Sequence, residues 1–401
     1  MIQLLLNIRA CSMPDCWQVY EPSGSITHHE IRHYHAGRAI EGCGSGFLQT
    51  AIFAEALSQN KLDQNKVVGI LEFAAEFGSM GGLLIGAFFG HFFGFIGPFA
   101  AVGCLFTIFA LFQNQLISFQ ENNEDESEST NLIRDKVVSA NVPKIGYFTL
   151  LTSARTLFGF LSAALCISLW TFQDTTLEIK LEDDFNLTPD ITSLIYSVQI
   201  MGFMPTSLFV HRFFDAYSAP TSTLMICLNF VVQGIATWCI GPSYLLREIL
   251  PNKLWITITG IFFTGVGGAF TSIGSFQEIY EPIADRYRDE TGALTVDEEV
   301  LTDLLSGMYN AGQSIGCILG PLFGSYIMLF SGSFRKTSDY FAIFTLSFAV
   351  LMFLIVYLPI KLKKKVKPKR KMTNQYLPVT SSGGDVDRMR KRILSEEIPP
   401  N

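Results

Sequence analysis

Hydrophobic positions in this chain neither alternate nor form a helical stripe; they run. Nine apolar runs lie at about 38–57, 67–91, 95–117, 146–172, 190–211, 221–242, 254–276, 305–330 and 338–360. Each is about as long as a helix needs to be to cross a bilayer. Charged residues crowd into 118–145, 173–190, 281–304 and 361–398. Lipid offers no partner for backbone N–H and C=O groups, so such runs are expected as helices. The pattern therefore predicts an all-α polytopic membrane protein with about nine transmembrane helices. The polar segment 118–145, which contains ENNEDESEST, divides them three plus six. The expected organisation is a polar leader over 1–36, three helices over 37–117, an acidic disordered linker over 118–145, a six-helix bundle over 146–360 and a basic tail over 361–401.

Composition supports this picture. The chain has 401 residues, 49% of them hydrophobic and 16% charged, with 35 phenylalanines. A soluble protein carries about a quarter charged residues. The net charge of −7 sums segments of opposite sign, so it points to no nucleic-acid partner. The eight cysteines show no CxxC pairing and fall mostly inside apolar runs, as small buried hydrophobes do. The stretch KLKKKVKPKRK at 361–371 follows the last run directly. By the positive-inside rule it places the tail in the cytoplasm, with 58–66, 118–145, 212–220 and 277–304 on the same side and the leader opposite. No GxxxxGK[ST] phosphate loop is present, and no cofactor is expected.

One motif pulls elsewhere. HEIRH at 29–33 fits the H-E-x-x-H zinc pattern. A zinc protease needs a third ligand and a water pocket held by a folded domain. The 36 residues before the first run are too few for one. The leader is expected to bind no metal, and the chain is expected not to be an enzyme.

Two glycine patterns occur twice, in the same order. Gly42-Cys-Gly44-Ser-Gly46-Phe47 returns as Gly265-Val-Gly267-Gly268-Ala-Phe270. Gly78-x3-Gly82-x3-Gly86 returns as Gly316-x3-Gly320-Pro321-x2-Gly324. Such rows let neighbouring helices approach closely, and their repetition suggests two related halves. If the halves match, three helices are missing from the front of the first.

Ionisable groups inside membrane runs are costly and so are functional candidates. Glu72 and Glu76 stand four apart, on one helix face beside the glycine row. A carboxylate kept from water there needs a proton or a cation. Asp174 lies at the end of the fourth run, Glu278 at the end of the seventh and Asn310 within the eighth. Arg155 is the lone charge of the fourth run and could neutralise Glu72 or Glu76. Arg38 begins the first run and could snorkel to the interface.

The motifs also carry a resemblance. Arg38-x-x-Glu41-Gly42-x-Gly44 resembles the fourth-helix motif of proton-coupled antiporters in the major facilitator superfamily. Gly69-x8-Gly78-x3-Gly82-x3-Gly86 resembles the antiporter motif of their fifth helix. GILEFAAEFGSMGGLLIG, FQDTTLEIKLEDDFNL, GVGGAFTSIGSFQEI and GQSIGCILGPLFG resemble the vesicular amine and polyamine transporter group, solute carrier family 18, nearest its polyamine-like branch. The likeness runs from about 37 to 360. Leu83 stands where the fifth-helix motif has Pro, and Asn310 stands where monoamine transporters carry Asp.

The resemblance implies a partial major facilitator fold lacking the first three helices. It also implies secondary active antiport of an organic cation, an amine or polyamine, against protons. Glu72, Asp174 and Glu278 match acidic positions of the family, and Arg38 would take part in proton transfer. The implied membrane is an endomembrane vesicle or the plasma membrane. Alternatives are transport of another small solute, such as a sugar or organic anion, a non-transporting nine-span protein working with a partner that supplies the missing helices, and, last, a zinc protease through HEIRH.

Overall fold

A computed structural model of the chain describes residues 28–59, 63–94, 96–124, 150–217, 219–244, 246, 248, 250–287 and 298–364. Among the described residues, nine long helices occupy the nine apolar runs. They are α1 (His28–Gln59), α2 (Gln64–Phe93), α3 (Ile96–Glu124), α4 (Ala154–Phe185), α5 (Pro189–Ala216), α6 (Ala219–Ile240), α7 (Leu254–Arg286), α8 (Glu298–Ser331) and α9 (Phe334–Met352). The chain then passes through a π-helical turn, Phe353–Tyr357, into α10 (Leu358–Lys364). Among the described residues, six stretches, from Ala154–Phe185 to Phe334–Leu362, are long and apolar enough to cross a membrane. The protein is an all-α, multi-pass integral membrane protein. Residues 362–401 form a separate unit, of which 362–364 are described.

The breaks between helices have local causes. Gly94 and Gly332 take φ of +63° and +66°, between α2 and α3 and between α8 and α9. Both conformations favour a residue without Cβ. Asn186 ends α4 in the left-handed region, and its N–H returns to the carbonyls of Leu181 and Glu182. Pro189 opens α5, where its missing N–H costs nothing.

Several helices outrun their apolar cores. α4 continues past 172 to Phe185, so Asp174 is a half-buried helix residue and not part of a loop. α7 continues past 276 to Arg286, which buries Glu278 completely and removes it from the expected cytoplasmic loop. α3 extends into the acidic linker as far as Glu124; the rest of that linker lies outside the described residues. So does most of the leader. HEIRH falls on the first turns of α1, where its side chains are outside the described set.

α7 packs against α4, α5 and α6; α8 lies along α4, and α6 packs against α9. The three N-terminal helices join this group through α2 on α5 and α7, and α1 on α8. Buried rings fill the centre of the six C-terminal helices. Phe172 of α4 stacks on Phe341 of α9 with centroids 4.1 Å apart. Phe348 of α9 meets Phe158 of α4 and Phe230 of α6.

The α6–α7 turn is held by buried charges. Lys180 of α4 donates to the Ile240 carbonyl at 2.5 Å and to Thr257 Oγ1 at 2.8 Å. A cation at a helix C-terminus complements the helix dipole. Asp339 of α9 accepts from Ser243 Oγ and from the Tyr244 N–H.

Candidate functional site

The site is built around Glu72, which is 5% exposed. Three groups from the C-terminal helices converge on its Oε1. Tyr309 of α8 donates at 2.6 Å, Gln313 of α8 at 3.0 Å and Ser272 of α7 at 3.0 Å. Tyr309 and Gln313 are one helical turn apart, so both reach one point. Ser272 and Tyr309 are themselves 2.6 Å apart. Gln49 of α1 donates to Gln313 Oε1 at 3.4 Å. Phe53 of α1 and Phe276 of α7 flank the Tyr309 ring, each with centroids 5.7 Å away. Three helices from both parts of the chain thus meet at one carboxylate, and α1 backs its donors.

The chemistry follows from proton counting. An ionised carboxylate only accepts, and Tyr, Ser and Gln can all donate. A buried charge is tolerated only when it is paired or hydrogen-bonded, and these donors supply that support without a fixed cation. Glu76 lies one turn further along α2 and is 4% exposed. Asp174 of α4 is half-buried. The region therefore holds three carboxylates inside membrane helices.

The other predicted residues go elsewhere. Arg155 does not pair with Glu72 or Glu76. Its guanidinium reaches Glu278 at 2.5 Å through Nε and Glu281 at 2.6 Å through Nη2. Thr223 of α6 donates to Glu278 at 2.6 Å, and Gln277 donates to Glu281 at 2.6 Å. This network ties the start of α4 to α6 and the end of α7, and it uses the charge of Arg155 there. Gly159, one turn past Arg155, makes room for it: a Cβ there would lie 3.0 Å from the Ile279 N. Asn310 is buried, but its amide donates back to the Ser306 carbonyl of its own helix at 3.0 Å. Its Oδ1 accepts no hydrogen bond among the described residues. Arg38 is on α1, with its side chain outside the described set.

The glycine motifs divide by copy. In α8, a Cβ on Gly320 would fall 2.8 Å from the Ser168 carbonyl oxygen of α4, and one on Gly324 3.0 Å from the Phe172 Cβ. Gly316 abuts the Ala164 carbonyl, and its own carbonyl accepts from Ser168 and Thr171 of α4. Pro321 stands within this helix, half-buried. In α7, Gly265 abuts the Gln199 carbonyl of α5, and Gly268 faces the Trp170 indole of α4. The first copies differ: among the described residues nothing lies within 4 Å of a Cβ built on Gly44, Gly46 or Gly86. Gly82 is buried, and Gly42 and Gly78 are half-buried.

Sequence reasoning missed Tyr309, Gln313 and Ser272. Their signal was two polar residues four apart in an apolar run, opposite a carboxylate on another helix. It also missed Lys180, a buried cation in a membrane helix.

Long apolar helices packed around buried carboxylates define a polytopic membrane protein. Residues 31–292 match the family model described as Major Facilitator Superfamily. The chain belongs to that superfamily. It is 23% identical over 279 residues to the human (Homo sapiens) protein called MFS-type transporter SLC18B1, covering 69% of this chain and 54% of that one. The rat (Rattus norvegicus) protein of the same name is 23% identical over 295 residues, 72% of this chain and 58% of that one. The mouse (Mus musculus) protein is 22% identical over 295 residues. The chain spans about half the length of the curated relatives it matches.

Proposed function

We propose that this chain serves secondary active transport, exchanging an organic cation, an amine or polyamine, for protons. The observation that carries the reading is Glu72: a carboxylate from α2, buried and held by donors from α7 and α8. A carboxylate in lipid alternates between proton and cation as its compensating charge. Glu72 also joins the two parts of the chain. A change in its charge is therefore felt by the contacts along which two helix groups would rock. Glu76 and Asp174 add negative charge and extend the site, which favours a cationic substrate over a sugar or an organic anion. The relatives' printed name, a transporter, agrees with the reading.

The test is uptake of radiolabelled spermidine by the full chain in liposomes with an acid interior. Uptake that stops when the pH gradient is collapsed, and is lost in Glu72→Gln, supports the proposal. Absence of gradient-driven spermidine uptake in protein whose helix content is intact refutes it.

A second reading has its own observation. Gly44, Gly46 and Gly86 present close-approach surfaces that no described residue fills. In this reading α1 and α2 assemble with further helices from a partner, and the chain acts only in that assembly. Cross-linking from Cys43, which is exposed beside Gly44, tests it.

A further inference from the structure

α5 and α7 touch and then part. They meet closely where Gly202 faces the Phe262 carbonyl and Gly265 faces the Gln199 carbonyl. About two turns on, bulky rings come between them, with Phe213 and Phe270 centroids 5.9 Å apart. A groove of about 320 Å³ opens there, lined among others by Pro205, Thr206, Phe209, Phe213, Val266 and Phe270. Phe209 and Phe213 are 53% and 46% exposed. The lining is almost wholly apolar, so its natural occupant in a bilayer is hydrocarbon.

One charge marks the mouth. Arg212, exposed and in the last turns of α5, holds its guanidinium 5.5 Å from the centroid of Phe209, a groove wall. It forms no ion pair among the described residues. Asp215, one turn on, accepts a hydrogen bond from Asn65 of α2 at 2.9 Å. The guanidinium therefore sits at the end of a membrane helix, above an acyl-sized groove, with its fork of donors suited to phosphate oxygens.

We propose that the α5–α7 groove with Arg212 is a specific site for one anionic phospholipid, its acyl chain in the groove and its headgroup on Arg212. A zwitterionic lipid brings a second, positive headgroup charge toward the same guanidinium and binds less well. The site is independent of the transport reading.

The experiment places the full chain in nanodiscs of equimolar phosphatidylglycerol and phosphatidylcholine with identical oleoyl chains. The lipids retained through detergent extraction are then quantified by native mass spectrometry. Phosphatidylglycerol is expected to be enriched by about fivefold or more over the bulk ratio, as a basic residue near the surface selects anionic lipid. Arg212→Gln returns the retained lipid to the bulk ratio, and Arg212→Lys keeps most of the enrichment. Val266→Trp, which fills the groove, loses the retained lipid altogether. A bulk ratio in the unsubstituted chain overturns the proposal, as does enrichment that survives Arg212→Gln or Val266→Trp.

Discussion

The glycine rows of α7 and α8 and those of α1 and α2 share their spacing but not their surroundings. In α8, Gly316, Gly320 and Gly324 each abut α4. In α1 and α2, Gly44, Gly46 and Gly86 abut nothing within 4 Å among the described residues. Packing along α2 also changes along its length, because Gly69 lies against the Ser207 carbonyl of α5, 2.6 Å from a built Cβ. A glycine row therefore states a capacity for close approach. Whether that capacity is used depends on which helix lies alongside.

The largest effect is expected where the C-terminal group is pinned by charge. Arg155→Ala leaves Glu278 buried without its cation, while Thr223 remains as its neutral donor. Losing one partner of a buried pair costs about 3–5 kcal/mol. Unfolding in detergent by denaturant should show that loss as a lower midpoint. A stability unchanged within error would mean that the network does not hold α4, α6 and α7 together.

Next comes the packed glycine row. Gly320→Leu drives a side chain into the Ser168 backbone, and overpacking costs about 1–3 kcal/mol. Gly268→Leu should act similarly, since a built Cβ lies 2.8 Å from the Trp170 ring. If either substitution is neutral, α4 moves aside easily and the contrast between the two glycine copies loses its meaning.

Glu72 belongs to both regions, so it separates stability from function. Glu72→Gln keeps an acceptor for Tyr309, Gln313 and Ser272 but removes the charge. Its stability change should stay within about 1 kcal/mol, while spermidine uptake is lost. Tyr309→Phe removes one donor to the carboxylate, which costs about 1.5–3 kcal/mol if the group is charged. Comparing Tyr309→Phe in the unsubstituted and Glu72→Gln backgrounds isolates the coupling between the two groups. A zero coupling energy would mean that the 2.6 Å contact carries no energy.

The hydrophobic pattern located nine helices because lipid leaves an apolar run of twenty residues few alternatives. It misjudged where several of them end. Residues 173–185 and 277–286 are polar yet helical, because Lys180 caps α6 and Glu278 pairs with Arg155. Neither partner is near in sequence: Arg155 and Glu278 are 123 residues apart. Glu72 was legible as a carboxylate in an apolar run. Its donors were not, because Tyr and Gln in membrane helices serve packing as readily as a site. The glycine echo was legible as spacing, but one sequence cannot show which copy is packed.

The smallest expected effect is the one that tests the comparison most directly. Gly44→Leu and Gly86→Leu put side chains where nothing lies within 4 Å among the described residues. Substitutions that touch nothing change stability by about 0.5 kcal/mol or less. Measured beside Gly320→Leu in the same detergent, they should leave the unfolding midpoint where it was. The same pair separates the two functional readings. Were α1 and α2 to pack against helices from a partner, a leucine at Gly44 or Gly86 would block the approach without unfolding the chain, and Cys43 cross-linking would disappear while stability held. Were the chain to act alone, both variants would keep gradient-driven uptake, because the added side chains face lipid, which accommodates leucine.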